Sequence, residues 1–95
     1  MQFENNTSGN GGVISLQKEN KEIGRLTYTL IPHENRLIIS YVMVYPEFEG
    51  KGLGKYLVEE ALKYARANHW TVYPHCSYAR SVMNRMNHIE DLYKK

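Results

Sequence analysis

The stretch that most constrains this chain is Tyr45 to Val58, YPEFEGKGLGKYLV. An apolar run ends there at Pro46, a glycine-rich segment follows, and an amphipathic pattern begins. Glycines at 50, 52 and 54 let the backbone turn tightly and come close to a ligand without Cβ atoms in the way. The N–H groups that open a helix have no intrahelical acceptor, and the positive end of the helix favours an anion. The segment therefore reads as a phosphate cradle, with Lys51 and Lys55 adding charge beside it.

Most glycine-rich phosphate motifs fail against the residues present. A Walker loop needs a glycine where Glu49 stands and a hydroxyl residue where Tyr56 stands. A dinucleotide fingerprint needs glycine at position 55, which is Lys55, and Thr71 to Pro74 offers no acidic residue for a ribose. A GXXG clamp fails on Leu53 and Lys55.

The rest of the chain sets the cradle in context. With 95 residues and 42% hydrophobic composition, it can build one core but not two. One domain over residues 12–95 is expected, behind a flexible polar arm at residues 1–11, MQFENNTSGNG. A net charge of +2 falls short of the basic footprint of nucleic-acid binders, so no nucleic-acid partner is expected. The one cysteine, Cys76, cannot form an intrachain disulfide. With no secretory pattern and no apolar run near ~18 residues, a cytoplasmic, membrane-free protein is expected; a monomer is the expected state.

Ile14 and Leu16, then Leu26, Tyr28 and Leu30, alternate with polar residues about a turn at Glu19-Asn20-Lys21, which predicts a hairpin with one apolar face. After Pro32-His33-Glu34-Asn35, the nearly unbroken apolar run Leu37 to Val44 predicts a central strand covered on both faces. A helix from about Gly52 to Asn68 presents Leu57, Val58, Ala61, Leu62 and Ala65 on one stripe, with Glu59 and Lys63 placed for an ion pair. Strand Thr71 to His75 should lie parallel to the central strand, and Ser77 can cap a short helix over roughly Ala79 to Asn87. The fold class is thus α/β (α+β): antiparallel strands, then a β-α-β unit with a glycine-rich phosphate loop and a short C-terminal helix.

Glu49-Gly50-Lys51-Gly52-Leu53-Gly54 resembles the Gln/Arg-x-x-Gly-x-Gly/Ala signature of the GNAT acyltransferase superfamily, with Glu49 departing at the Gln/Arg position. The order of elements over roughly Gly12 to Asn87 is similar to the central part of the GNAT fold. Pro74-His75-Cys76-Ser77-Tyr78 is similar to the Pro-x-Cys-x-Tyr segment of a small GNAT-like subgroup. The resemblance implies acetyl-CoA as acyl donor, with loop amides on its pyrophosphate, and an amine acceptor. It also places a carbonyl-polarising backbone N–H around Met43, Val44 and Tyr45. Larger members carry further helices near the start and closing strands at the end, for which this chain has no room.

Acyl transfer to an amine needs a polarising donor, a path for the amine proton and a held acyl donor, but no metal. Cys76, between a strand and a helix, is the candidate catalytic residue: a helix N-terminus lowers thiol pKa and favours the thiolate. A small buried apolar thiol is the competing reading. His75 points to the opposite face by strand alternation, Glu47 is a candidate acceptor for the amine proton with an ordinary loop carboxylate as the preferred reading, and Tyr78 packs on the coenzyme arm or donates to its sulfur. The cofactor-binding set is Met43, Val44, Tyr45, Gly50, Lys51, Gly52, Leu53, Gly54, Lys55 and Tyr78. The expected activity is acetyl transfer; the alternative is a non-catalytic acetyl-CoA sensor.

Overall fold

The computed structural model describes residues 1–94. The strands are β1 (Gln2–Ser8), β2 (Gly11–Lys18), β3 (Lys21–Ile31), β4 (Arg36–Val44) and β5 (Thr71–Pro74), in one sheet of order β1-β2-β3-β4-β5. The first four are antiparallel neighbours, and β5 runs parallel to β4. Helix α1 (Leu53–Ala67) makes the crossover and α2 (Ser77–Asn84) follows β5. Both pack on the same face as the buried side chains of the sheet.

Helix α1 forms where its apolar stripe lies. Leu57, Val58, Ala61, Leu62 and Ala65 are all buried, against Ile14, Leu16, Leu26, Leu37 and Ile39 of the sheet. Asn68 ends the helix, as expected, by donating its side-chain N–H to the Tyr64 carbonyl at 2.9 Å. Glu59 and Lys63 do not pair; Lys63 approaches Glu60 instead, at 3.8 Å.

The residues expected to fray form β1. Their polarity hid the strand: all seven residues are exposed, held by an antiparallel ladder with β2 and by one side chain from β3. Tyr28 lies across Gly12, donates to Asn5 Oδ1 at 2.6 Å and sits 2.7 Å from the Thr7 hydroxyl. A Cβ on Gly12 would collide with the Tyr28 ring and the Asn6 carbonyl, so the glycine supplies the space that ring needs. Tyr64 and Trp70 extend the row, with ring centroids 5.7 and 5.3 Å apart.

A second correction concerns β4. It is fourth in the sheet rather than central, and only one of its faces is covered. Pairing steps from Ile39↔Tyr28 to Tyr41↔Thr27, leaving Ser40 as a bulge that shifts the alternation by one residue. Leu37 and Ile39 are buried under α1, while Tyr41 and, on β5, Tyr73 are about half exposed on the helix-free face. An apolar run interrupted by a bulge thus resembles a strand buried on both sides. Ser77 also differs from expectation: it is the first residue of α2, Cys76 is the N-cap, and no side chain caps the helix.

On the helix-free face, Glu22 accepts from Ser15 Oγ (2.7 Å), from Arg25 Nε and Nη2 (2.9 and 2.8 Å) and from Tyr45 Oη (2.7 Å). Burial pushes the Glu22 pKa up, but the hydrogen bonds from Tyr45, Ser15 and Arg25 outweigh it and hold the group below its ordinary 4.5. A carboxyl depressed on folding contributes stability that is present above the unfolded pKa and fades as pH falls through the folded one. Glu22→Gln should therefore be less stable than wild type at pH 7, with the gap closing as pH drops below 4.5. Urea unfolding at neutral and acid pH measures it; a gap unchanged with pH would show that the charge contributes nothing.

Candidate functional site

Strands β4 and β5 pair only from Arg36↔Thr71 to Ile39↔Pro74. The Ile39 carbonyl then accepts from both His75 N (3.0 Å) and Cys76 N (3.1 Å), and the chain turns away into α2. Beyond that point β4 runs on to Val44 with no strand on this side. Tyr45 N donates to Ile23 O at 3.0 Å on β3, so strand alternation turns the N–H and C=O groups of Val44 and Val42 toward the gap.

The loop that follows begins as a 3-10 turn, Pro46–Phe48, in which Phe48 N reaches the Tyr45 carbonyl at 2.8 Å. Gly50 and Gly52 take positive φ of 81° and 75°, a region open to glycine and costly for a branched side chain. The first α1 bond is Tyr56 N to Gly52 O at 3.4 Å. No N–H from Gly50 to Lys55 donates to an acceptor among the described residues. Such a run of free donors at a helix start matches an anionic ligand.

Gap and loop enclose a cleft of about 300 Å³ lined by Val42, Val44, Phe48, Glu49, Gly50, Gly52, Leu53, Gly54 and Tyr78. Tyr78 closes one wall by lying on Gly54, where a Cβ would come within 2.5 Å of its hydroxyl and 2.8 Å of its ring. Gly54 is therefore required for the seating of Tyr78.

Of the residues read from the sequence, Val44, Gly50, Gly52, Leu53, Gly54 and Tyr78 come together in this cleft. Lys55 lines an adjoining hollow, and Lys51 lies 6.0 Å above the Phe48 ring. Met43 and Tyr45 do not line it: alternation puts their side chains on the helix-free face, where Tyr45 is held by Glu22. That contact first, then burial, raises the Tyr45 pKa. Cys76 stands at the apex of the gap, half-buried against the core and outside the cleft lining. Val42 and Phe48 were missed. Val42 could have been found from strand period, two residues before Val44; nothing in the sequence marked Phe48.

A family model for the GCN5-related N-acetyl-transferase matches residues 13–92. The chain belongs to that family. Solved structures agree on the fold. A GCN5-like protein from Staphylococcus aureus is 26% identical with a TM-score of 0.68, over 96% of this chain and 87% of its own. An aminoglycoside acetyltransferase from an uncultured soil metagenomic sample, in complex with sisomicin, is 19% identical with a TM-score of 0.70, over 84% and 59%. A ribosomal-protein-alanine N-acetyltransferase from Brucella melitensis is 13% identical with a TM-score of 0.66, over 80% and 62%. This GNAT-family chain thus spans about six-tenths of the length of those two enzymes. A search of curated proteins finds no match. In this acetyltransferase family member, no helix among the described residues is long and apolar enough to cross a membrane, and no cluster of metal-ligating side chains is present among them.

Proposed function

We propose that the cleft binds acetyl-CoA and that the chain transfers its acetyl group to an amine. The observation that carries this reading is the run of free N–H groups from Gly50 to Lys55 at the mouth of the gap between β4 and β5. The loop amides hold the pyrophosphate. The free edge at Val42 and Val44 takes the amide-bearing arm in the manner of an added strand, against Leu53 and Tyr78. A β4 N–H turned into the gap polarises the thioester carbonyl; Val42 and Val44 are the donors so turned, whereas Tyr45 N is engaged by β3.

The donor and both helices occupy one side of the sheet, so the amine reaches the gap from the helix-free face, past Tyr41, Met43 and Tyr73. The neutral amine forms the new C–N bond and loses a proton; the C–S bond breaks and the thiolate regains one. Glu22 is a poor base for that proton, since Ser15, Arg25 and Tyr45 already occupy it.

Titration of acetyl-CoA, followed by heat and by amide NMR shifts, tests the reading. Saturable binding with the largest shifts at residues 50–55 is expected; no binding at millimolar ligand would defeat it. Turnover with a panel of primary amines then separates a transferase from a non-catalytic acetyl-CoA sensor, which binds without turnover.

A second reading gives Cys76 a part in the transfer, supported by its position at the apex of the gap and by the Pro74-His75-Cys76-Ser77-Tyr78 segment. It expects acetyl-CoA to protect the thiol from iodoacetamide and Cys76→Ser to bind acetyl-CoA while losing transfer. Unprotected alkylation with full activity in the serine variant would leave Cys76 a packing group.

A further inference from the structure

The two edges of the sheet are built differently. β5 is four residues long, ends at Pro74, and has its Val72 N–H donated to the Leu92 carbonyl at 2.9 Å, so little of that edge is free to pair. β1, at the other edge, is unguarded. Its ladder with β2 runs from Gln2↔Gln17 to Ser8↔Gly11 without a bulge, and it holds no proline or lysine, the devices that keep a natural edge from pairing. The tight turn to β2 closes on Ser8↔Gly11. By antiparallel alternation Gln2, Glu4, Asn6 and Ser8 then exchange hydrogen bonds with β2, and Phe3, Asn5 and Thr7 turn their N–H and C=O groups outward.

We propose that β1 pairs with β1 of a second copy of this chain, antiparallel and centred on Asn5, joining the two sheets into one. The strand itself singles out a second copy as the partner. Asn5 is the midpoint of Gln2–Ser8 and faces outward, so pairing about it engages the whole strand in the correct hydrogen-bond phase, with Phe3 opposite Thr7 of the other copy. On the helix-free face the same register sets Glu4, the only charge in the strand, opposite Asn6 of the other copy. Carboxylate meets amide there, as it already does within one strand at 2.9 Å. On the helix side Phe3, 39% exposed, comes over the other copy's Thr7, whose hydroxyl lies beside Tyr28 and Tyr64. One strand pair buries less than the ~1,600 Å² of a standard stable interface, so association is reversible and depends on concentration. β2 and β3 separate this seam from the gap between β4 and β5, and pairing leaves the cleft open.

Sedimentation velocity over a concentration series, with amide NMR on dilution, tests the pairing in wild type, Asn6→Glu, Asn6→Lys and Phe3→Pro, each checked for folding by a thermal melt. Wild type should show a monomer–dimer equilibrium, with dilution shifts concentrated at residues 2–8. Asn6→Glu sets carboxylates face to face at both symmetric contacts and should weaken the dimer about three- to tenfold at low salt; Asn6→Lys should tighten it by about as much. With a net charge of +2, non-specific contact between copies would follow the opposite order. Phe3→Pro removes an outward N–H, leaves the ladder to β2 intact and should abolish the dimer. A wild type that stays monomeric at millimolar concentration, dilution shifts elsewhere in the chain, association that persists in Phe3→Pro, or two Asn6 variants that shift association in the same direction would overturn the proposal.

Discussion

Gly52→Val is expected to weaken acetyl-CoA binding by about tenfold or more while the chain still folds. The cause is backbone rather than bulk. A Cβ at this position meets nothing within 4 Å, but the residue sits at φ 75° as the N-cap of α1. Holding a branched side chain there costs on the order of 1–3 kcal/mol. The strain is relieved by turning φ negative, which redirects the free N–H groups of Leu53 and Gly54. Calorimetric titration beside a thermal melt checks it: unchanged affinity in a folded Gly52→Val variant would move the phosphate site elsewhere. Lys51→Ala should lose much less, about 1 kcal/mol or below, because an exposed charge is screened by salt.

The second large effect is on stability. Leu57 is fully buried, and its Cδ1 fits over Gly24 of β3, where a Cβ would already be 3.3 Å away. That fit sets how closely α1 approaches the sheet. Leu57→Ala leaves a cavity between them and should cost about 2–5 kcal/mol, lowering Tm by roughly 10–30 °C. For a domain whose total stability is on the order of 5–15 kcal/mol, that loss is large. Urea unfolding measures it; a loss under about 1 kcal/mol would mean that the helix settles inward and fills the space.

What could be read in advance divides by the reach of the interactions involved. Helix α1 was legible almost to the residue, since its stripe, the preceding Gly52 and the terminal Asn68 are all local signals. The hairpin of β2 and β3 was legible from alternation, and its turn sits at Glu19 and Asn20, both at positive φ. β1 was not: all seven of its residues are exposed and so show no apolar alternation, and what holds them is the ladder with β2 together with a hydroxyl from Tyr28, far along the chain. The bulge at Ser40 was hidden for a similar reason: it exists only in the register with β3. Within the site, the glycine segment announced itself. Which strand residues face the gap could not be told without knowing where β5 leaves β4, and so Met43 and Tyr45 were grouped with Val44.

Tyr78 has a consequence for how the two hollows act together. Its ring, with Gly52, borders both the cleft and the hollow that Lys55 lines, and it rests on Gly54, so it has no room to retreat beneath itself. A swing that enlarges one compartment narrows the other. Occupants of the two sides are therefore expected to be linked through this one side chain: fragments representing the two ends of a long ligand should not show affinities that simply sum.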